Sequence, residues 1–312
     1  MDTMRRLGIG LAALGRPAYI NVGRTQELPP DRTVAAMREL TWSVLDSAYA
    51  AGIRWVDAAR SYGRAEEFLG GWLARRSPED VTVSSKWGYA YVGDWRTDAS
   101  VHEIKAHTLD RYRTQYEETR EFLDGHLSVY QVHSLTEDSP LFEDVRLQEA
   151  LAEATADGVR VGFSTSGPKQ SDTIRRALEL EVAGQRLFST VQSTWNILEP
   201  SAEEALREAS AAGLQVLLKE VLANGRLAVH PPAAAQTIAS RKGVQPDALA
   251  IGAALSRPWA DIVLIGPAST TQLNANLAGA DVHLDEEDLE LLTEVRVSPE
   301  RYWNERGALP WT

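Results

Sequence analysis

The sequence predicts an α/β protein of the (β/α)8 TIM-barrel class. Short β-branched or apolar runs alternate with longer amphipathic stretches along all 312 residues, which is the mark of repeated βα units. The alternation yields eight strand candidates, and neither a glycine-rich phosphate turn nor a long linker divides them. A doubly wound open sheet would also alternate. Its diagnostic turn is missing, because Gly8, Gly10 and Gly15 are spaced GxGxxxxG and no acidic residue ends a second strand in the expected way. A bend at a strand end accounts for these glycines.

The first strand is expected over 6–12. Its leader, MDTMRRLGIGLAALGRP, places two arginines before about seven apolar residues broken by glycines, too short a run for a signal peptide, so the expected location is cytoplasmic. An irregular stretch at 16–31 leads to a helix over 33–51 and a strand over 54–58, then a helix over 64–75 and a strand over 81–86. After irregular residues 88–99 a long helix is predicted over 100–123, followed by a strand over 127–132 and a loop at 135–144. The pattern continues with helix 147–157, strand 160–164, helix 171–182, strand 189–193, helix 202–212 and strand 215–218. Past a loop near 224–232 come helices 233–242 and 247–256, strand 261–265 and helix 270–277. Gly52, Gly158 and Gly213 close three of the helices and suit left-handed C-terminal caps. One domain is therefore expected over 1–312, with 297–312 as a C-terminal tail or loop.

Composition narrows the function. A formal net charge of −12 disfavours broad contact with a phosphate backbone, so nucleic acid is not an expected partner. No apolar run approaches the roughly 18 residues of a membrane span, so no membrane association is expected. The chain has no cysteine, which removes disulfide, thiolate and cysteine-based metal chemistry together.

Three predicted strands end in titratable side chains. Asp57 closes IRWVD, Lys86 closes VTVSSK and His133 closes LSVYQVH, while Tyr62 follows Asp57 by five residues in RSYGRAEE. Each has a plainer role open to it: a cap or buried acceptor for Asp57, an ion pair with Asp57 for Lys86, a packed ring for Tyr62, a satisfied imidazole for His133. Lysine is scarce here, five residues against twenty-seven arginines, and a compact ammonium responds to burial as a guanidinium does not. What favours chemistry is the coincidence of all four on the barrel face where active sites gather.

These segments resemble the aldo-keto reductase family. GIRWVDAARSYGRAEEFLG is similar to its Asp and Tyr signature, VTVSSKWG to its lysine strand and LSVYQVHS to its histidine strand; VRVGFSTSG, STVQSTWNILEP and DIVLIGPASTTQLNANL continue the likeness in order. The resemblance implies a nicotinamide-dependent oxidoreductase interconverting a carbonyl and an alcohol. Tyr62 would be the acid/base, Lys86 the cation that lowers its pKa from about 10, Asp57 the partner that holds Lys86, and His133 the group that orients the substrate oxygen. No metal is required, because Tyr62 and His133 polarise the carbonyl.

By the same resemblance Asp57, Ser164, Thr165 and Gln192 border the nicotinamide end of the cofactor, Lys219 approaches either its pyrophosphate or the substrate pocket, and Gly266, Ser269, Gln272 and Asn276 form the adenosine turn and helix. Two departures stand out. Ser164-Thr165 replaces the usual Ser-Asn, and Leu218 and Lys219 occupy the place where many members stack an aromatic ring. NADP(H) is the favoured cofactor and NAD(H) stays open, since GPASTTQLNAN contains no Lys or Arg. Trp87 is a candidate wall of an apolar substrate pocket that takes a small-molecule carbonyl compound. Two other functions remain: a nicotinamide-binding regulatory protein with little turnover, and a Schiff-base aldolase at Lys86, which a neighbouring Asp57 disfavours. A monomer is the simplest assembly.

Overall fold

The computed structural model describes residues 3–123 and 125–312, so the first two residues of the expected 1–312 domain and residue 124 lie outside the described residues. Eight parallel strands form a closed barrel: β1 Leu7–Gly10, β2 Trp55–Asp57, β3 Thr82–Trp87, β4 Leu127–Leu135, β5 Arg160–Thr165, β6 Thr190–Thr194, β7 Gln215–Lys219 and β8 Ile262–Ile265. They stand around the ring in chain order, and β1 closes it by pairing with both β2 and β8, Gly8 opposite Trp55 and Leu264. All eight expected strands are present. Among the described residues no helix is long and apolar enough to cross a membrane.

The helices wrap the barrel: α1 Val34–Ala50, α2 Ala65–Arg76, α3 Leu109–Leu123, α4 Val145–Glu153, α5 Gln170–Leu178 and α6 Glu203–Ala211, then, after a single turn at Arg226–Val229, α7 Ala233–Lys242, α8 Pro246–Leu255, α9 Thr270–Leu277, α10 Glu286–Leu291 and α11 Pro299–Gly307. Gly52, Gly158 and Gly213 have φ of 99°, 79° and 88°, as their cap role requires. Of Gly8, Gly10 and Gly15, the first and last serve close approach. A Cβ on Gly8 would lie 2.8 Å from Leu264, and one on Gly15 would lie 2.3 Å from the Tyr62 carbonyl oxygen.

Three regions depart from the sequence expectation. The first part of the helix expected over 100–123 is instead a strand, Glu103–Lys105, antiparallel to Tyr89–Tyr91. The Ala106 amide reaches the Gly88 carbonyl at 2.8 Å and the His107 ring bonds the His133 carbonyl at 2.8 Å, so tertiary contacts override helix propensity there. The helix expected over 171–182 stops at Leu178, because Ala183 and Gly184 both take positive φ and turn a hairpin between Glu181–Val182 and Gln185–Arg186. The expected tail is largely helical. Ser298 caps α11 by accepting from the Arg301 amide, and Pro299 occupies its first turn. Beyond it Thr312 exchanges two backbone bonds of 3.1 Å with Tyr19, bringing the end of the chain over the barrel mouth.

Candidate active site

Successive strand residues face opposite sides, and that alternation decides what the barrel turns inward. Trp55, Val129, Leu217, Ile262 and Leu264 form a separate apolar cluster that fills the floor. Further along the same faces the inward residues become polar: Asp57 on β2, Ser84 and Lys86 on β3, Gln131 and His133 on β4, Gln192 on β6 and Lys219 on β7. The Gln192 amide donates to Asp57 Oδ1 at 3.0 Å, a bond that crosses the interior because β6 and β2 are not neighbours.

Asp57 is the hub. Its Oδ1 also accepts from Ser84 at 2.7 Å and from Gln131 at 3.4 Å, while Oδ2 is ion-paired with the Lys86 ammonium. Lys86 is fully buried and gives a second bond to the Ala58 carbonyl at 2.9 Å. Burial pulls its pKa down, and the Asp57 carboxylate opposes that shift.

Tyr62 is brought beside this pair by the turn after β2. Lys86 Nζ lies 5.0 Å from the centre of its ring, and the His133 ring meets it edge-on at 5.5 Å. Burial pushes the phenol well above its ordinary value of 10; the Asp57 charge adds to the rise and Arg16 works against it. Burial outweighs the charges around the ring in this state. His133 is held well below 6.5, by burial first and then by the positive charges of Lys86, Lys219 and Arg16, so the imidazole is neutral near pH 7. Its Nδ1 is 3.3 Å from the Ser61 hydroxyl.

The mouth above these groups is a cleft of about 420 Å³. Asp57, Tyr62, His133, Gln192, Lys219, Gly266, Gln272 and Asn276 all line it, as does Ser166. Ser164 lies just below, with its Oγ accepting the Ser134 amide at 2.9 Å, and Ser269 caps α9. Thr165 and Trp87 are placed differently. Each is one residue past an inward position and so faces the helices: Thr165 bonds Ser193 at 2.6 Å, and Trp87 packs on Tyr112 at 5.1 Å.

Sequence reasoning also missed Arg16, Glu103, Glu220 and Arg306, which line the cleft with the expected Lys219. Arg16 is buried, ion-paired with Glu103, and its guanidinium stacks on the rings of Tyr19, Tyr62 and Trp311 at 4.6–5.1 Å. Lys219 donates to the Thr194 hydroxyl at 2.8 Å, and burial lowers its amine to about 8. Beside it Glu220, at φ 54°, is held at 2.6 Å by Arg306 from α11 and stays ionised down to about 2. At this end the wall is therefore charged and aromatic, while Ile20, Val22, Leu222 and Val229 line other parts of the cleft. Only the Ser-Pro start of α11 offered a sequence signal for any of this.

Comparison with known proteins agrees with this geometry. The profile of the Aldo/keto reductase family matches residues 6–297, nearly the whole chain, and the protein belongs to that family. An uncharacterized oxidoreductase of Bacillus subtilis, YrpG, is 23% identical over 82% of this chain and 86% of its own. Among solved structures, a glycerol dehydrogenase from Gluconobacter oxydans superposes with a TM-score of 0.69 at 21% identity, covering 93% of this chain and 90% of that one. An aldo-keto reductase from Bacillus halodurans, in its holo form, gives 0.67 at 20% identity over 94% and 92%. At these identities the structural likenesses speak for the fold.

Proposed function

We propose that the protein is a nicotinamide-dependent oxidoreductase that interconverts a small aldehyde or ketone and its alcohol, with Tyr62 as the proton donor. The observation that carries this is the convergence of Asp57, Tyr62, Lys86 and His133 on one end of an elongated cleft, in a chain of the Aldo/keto reductase family. The cleft suits a dinucleotide. Asn21 and Asn224 both line it, and the Oδ1 of each is a buried acceptor without a hydrogen-bond partner among the described residues, which the hydroxyl donors of a dinucleotide's riboses would satisfy. Next to them Gly225 has no room for a Cβ, which would lie 2.2 Å from the Val22 carbonyl oxygen. Residues from Gly10 to Trp311 line this one space, and we treat 1–312 as a single catalytic unit.

When bound, the reduced nicotinamide supplies hydride to the carbonyl carbon. Gln192 and Asp57 form the floor on which its ring would rest. The Tyr62 hydroxyl gives its proton to the carbonyl oxygen as charge builds there. Because burial keeps that phenol protonated at neutral pH, the resting site is set for reduction; oxidation requires the deprotonated form and is favoured by alkali. Neutral His133 shares a hydrogen bond with Ser61 through Nδ1 and, in the tautomer protonated at Nε2, would offer a hydrogen bond to the same oxygen. Asp57 holds Lys86 under the tyrosine, where the ammonium steadies the phenolate left after transfer.

The test is the loss of NADH or NADPH absorbance over a panel of small aldehydes and ketones, with Tyr62→Phe as control. The variant is expected to lose about 10²- to 10⁴-fold in kcat/KM while its cofactor affinity stays within about threefold. Undiminished turnover in Tyr62→Phe overturns the assignment.

A further inference from the structure

We propose that this cleft selects NAD(H) over NADP(H), and that Asp247 is the residue that sets the choice. The inference rests on the dinucleotide reading above and goes beyond it. Hydride transfer fixes the nicotinamide beside Tyr62 and His133, so the adenosine must occupy the other end. There α9, the start of α8 and the loop after β1 meet, and Gly23, Val229, Asp247, Gly266, Gln272 and Asn276 line the wall. The lining cations Arg16, Lys219 and Arg306 all stand at the Tyr62 end, grouped with Glu103, Glu220 and Trp311. Asp247 is the only charged side chain lining the far end among the described residues, and none of their lysines or arginines is paired with it.

Its surroundings hold the carboxylate in place without cancelling its charge. Oδ2 accepts from Asn276 Nδ2 at 2.9 Å and Oδ1 from the Ala248 amide at 2.9 Å. A carboxylate offers about four acceptor positions, so two remain for donors such as a ribose hydroxyl or the adenine amino group.

The start of a helix is ordinarily a receptor for phosphate. In α9 that role is partly taken up within the chain. The Ser269 hydroxyl accepts from the Gln272 amide at 3.1 Å and donates to the Glu27 carboxylate at 2.5 Å. Gln272 is itself spent, taking the Ala268 amide at 2.8 Å and donating to the Gly23 carbonyl at 3.3 Å. A 2′-phosphate arriving here would bring about 1.5 to 2 negative charges toward Glu27 and Asp247, with no guanidinium or ammonium to receive it. A 2′-hydroxyl would find acceptors. The expectation of NADP(H) came from the family resemblance of the Gln272 turn, whereas Asp247 and Glu27 lie far along the chain from 266–276 and only folding brings them to that end.

The experiment is titration of the full chain with NADH, NADPH, ADP-ribose and 2′-phospho-ADP-ribose, read by quenching of tryptophan fluorescence, with Trp311 on the cleft wall as a reporter. NADH is expected to bind at least about tenfold more tightly than NADPH, and the two nicotinamide-free ligands should show the same ratio, which locates the discrimination at the adenosine end. Asp247→Asn should narrow the ratio by about tenfold, and Gln272→Arg should raise NADPH affinity if the first variant does not fold. Equal or tighter binding of NADPH by the unaltered protein overturns this inference and leaves the dinucleotide site standing. A ratio unchanged in Asp247→Asn overturns the role of that residue. Binding of none of the four ligands overturns the dinucleotide reading and this inference with it.

Discussion

Replacing Asp57 by Asn should destabilise the fold chiefly through what it does to Lys86. The ammonium is fully buried, and among the described residues Asp57 is its only ion-pair partner. Breaking a buried pair from one side costs about 3–5 kcal/mol, because the remaining charge is stranded. A ceiling follows from the alternative route, in which the amine gives up its proton. From its ordinary 10.5 down to pH 7, at about 1.4 kcal/mol per unit, that route costs about 5 kcal/mol. With an unfolding entropy of about 2.1 cal/mol/K per residue over this chain, the loss lowers the melting temperature by about 5–8 °C.

The sign of the pH dependence is fixed as well. Without the carboxylate the folded pKa of Lys86 falls further below 10.5, so between those two values the unfolded chain binds more protons. Stability then rises with pH, and the deficit of the variant shrinks from pH 7 to pH 9. Adding Lys86→Met removes the stranded amine and should restore at least about half of the loss. Thermal unfolding followed by circular dichroism measures all three. A single variant melting within about 1 °C of the parent, or a double variant no more stable than the single one, refutes the reasoning.

Lys219, held near 8 by burial, is charged at pH 7 and largely neutral at pH 9, so its attraction for an anionic dinucleotide fades over that range. Affinity is expected to fall about three- to tenfold across it, and Lys219→Met should start weaker and show no such slope; a flat profile in the parent protein counts against the contact. Gly15→Ala puts a methyl group 2.3 Å from the Tyr62 carbonyl oxygen and 2.5 Å from Ala65 Cβ, which forces the tyrosine turn to move. A loss of more than about tenfold in kcat/KM with about 1–3 kcal/mol of stability is expected, and a variant with parental kinetics would show that the turn tolerates the shift.

The barrel was legible because its strands are buried on both faces and leave short apolar or β-branched runs such as VLL and IVLI between amphipathic helices. Asp57, Lys86 and His133 were legible for a related reason: a strand end that leaves the floor must turn polar, and each is an inward position. Strand alternation also explains why Trp87 and Thr165 face the helices, since each is one step out of phase with Lys86 and Ser164. The hairpin at Glu103–Lys105 was not legible, because its pairing with Tyr89–Tyr91 is tertiary while its local composition suits a helix. Arg16, Glu103 and Asp247 gave no sign of a place in the cleft; a loop, a short strand and the start of α8 from distant parts of the chain converge there only in the fold.

The closure of the ring by β1 and β8 has a bearing on synthesis. Leu7 and Ile9 form their outer pairings with Val263 and Ile265, about 250 residues later in the chain. At about 5–20 residues per second, a ribosome needs about 13–50 s to supply the missing partner. Throughout that interval one edge of β1 has exposed backbone donors and acceptors beside apolar side chains, the combination that recruits strands from other nascent chains. The demand for protection during translation therefore falls on the first strand made, and slower elongation should increase aggregation even though the finished barrel has no open edge.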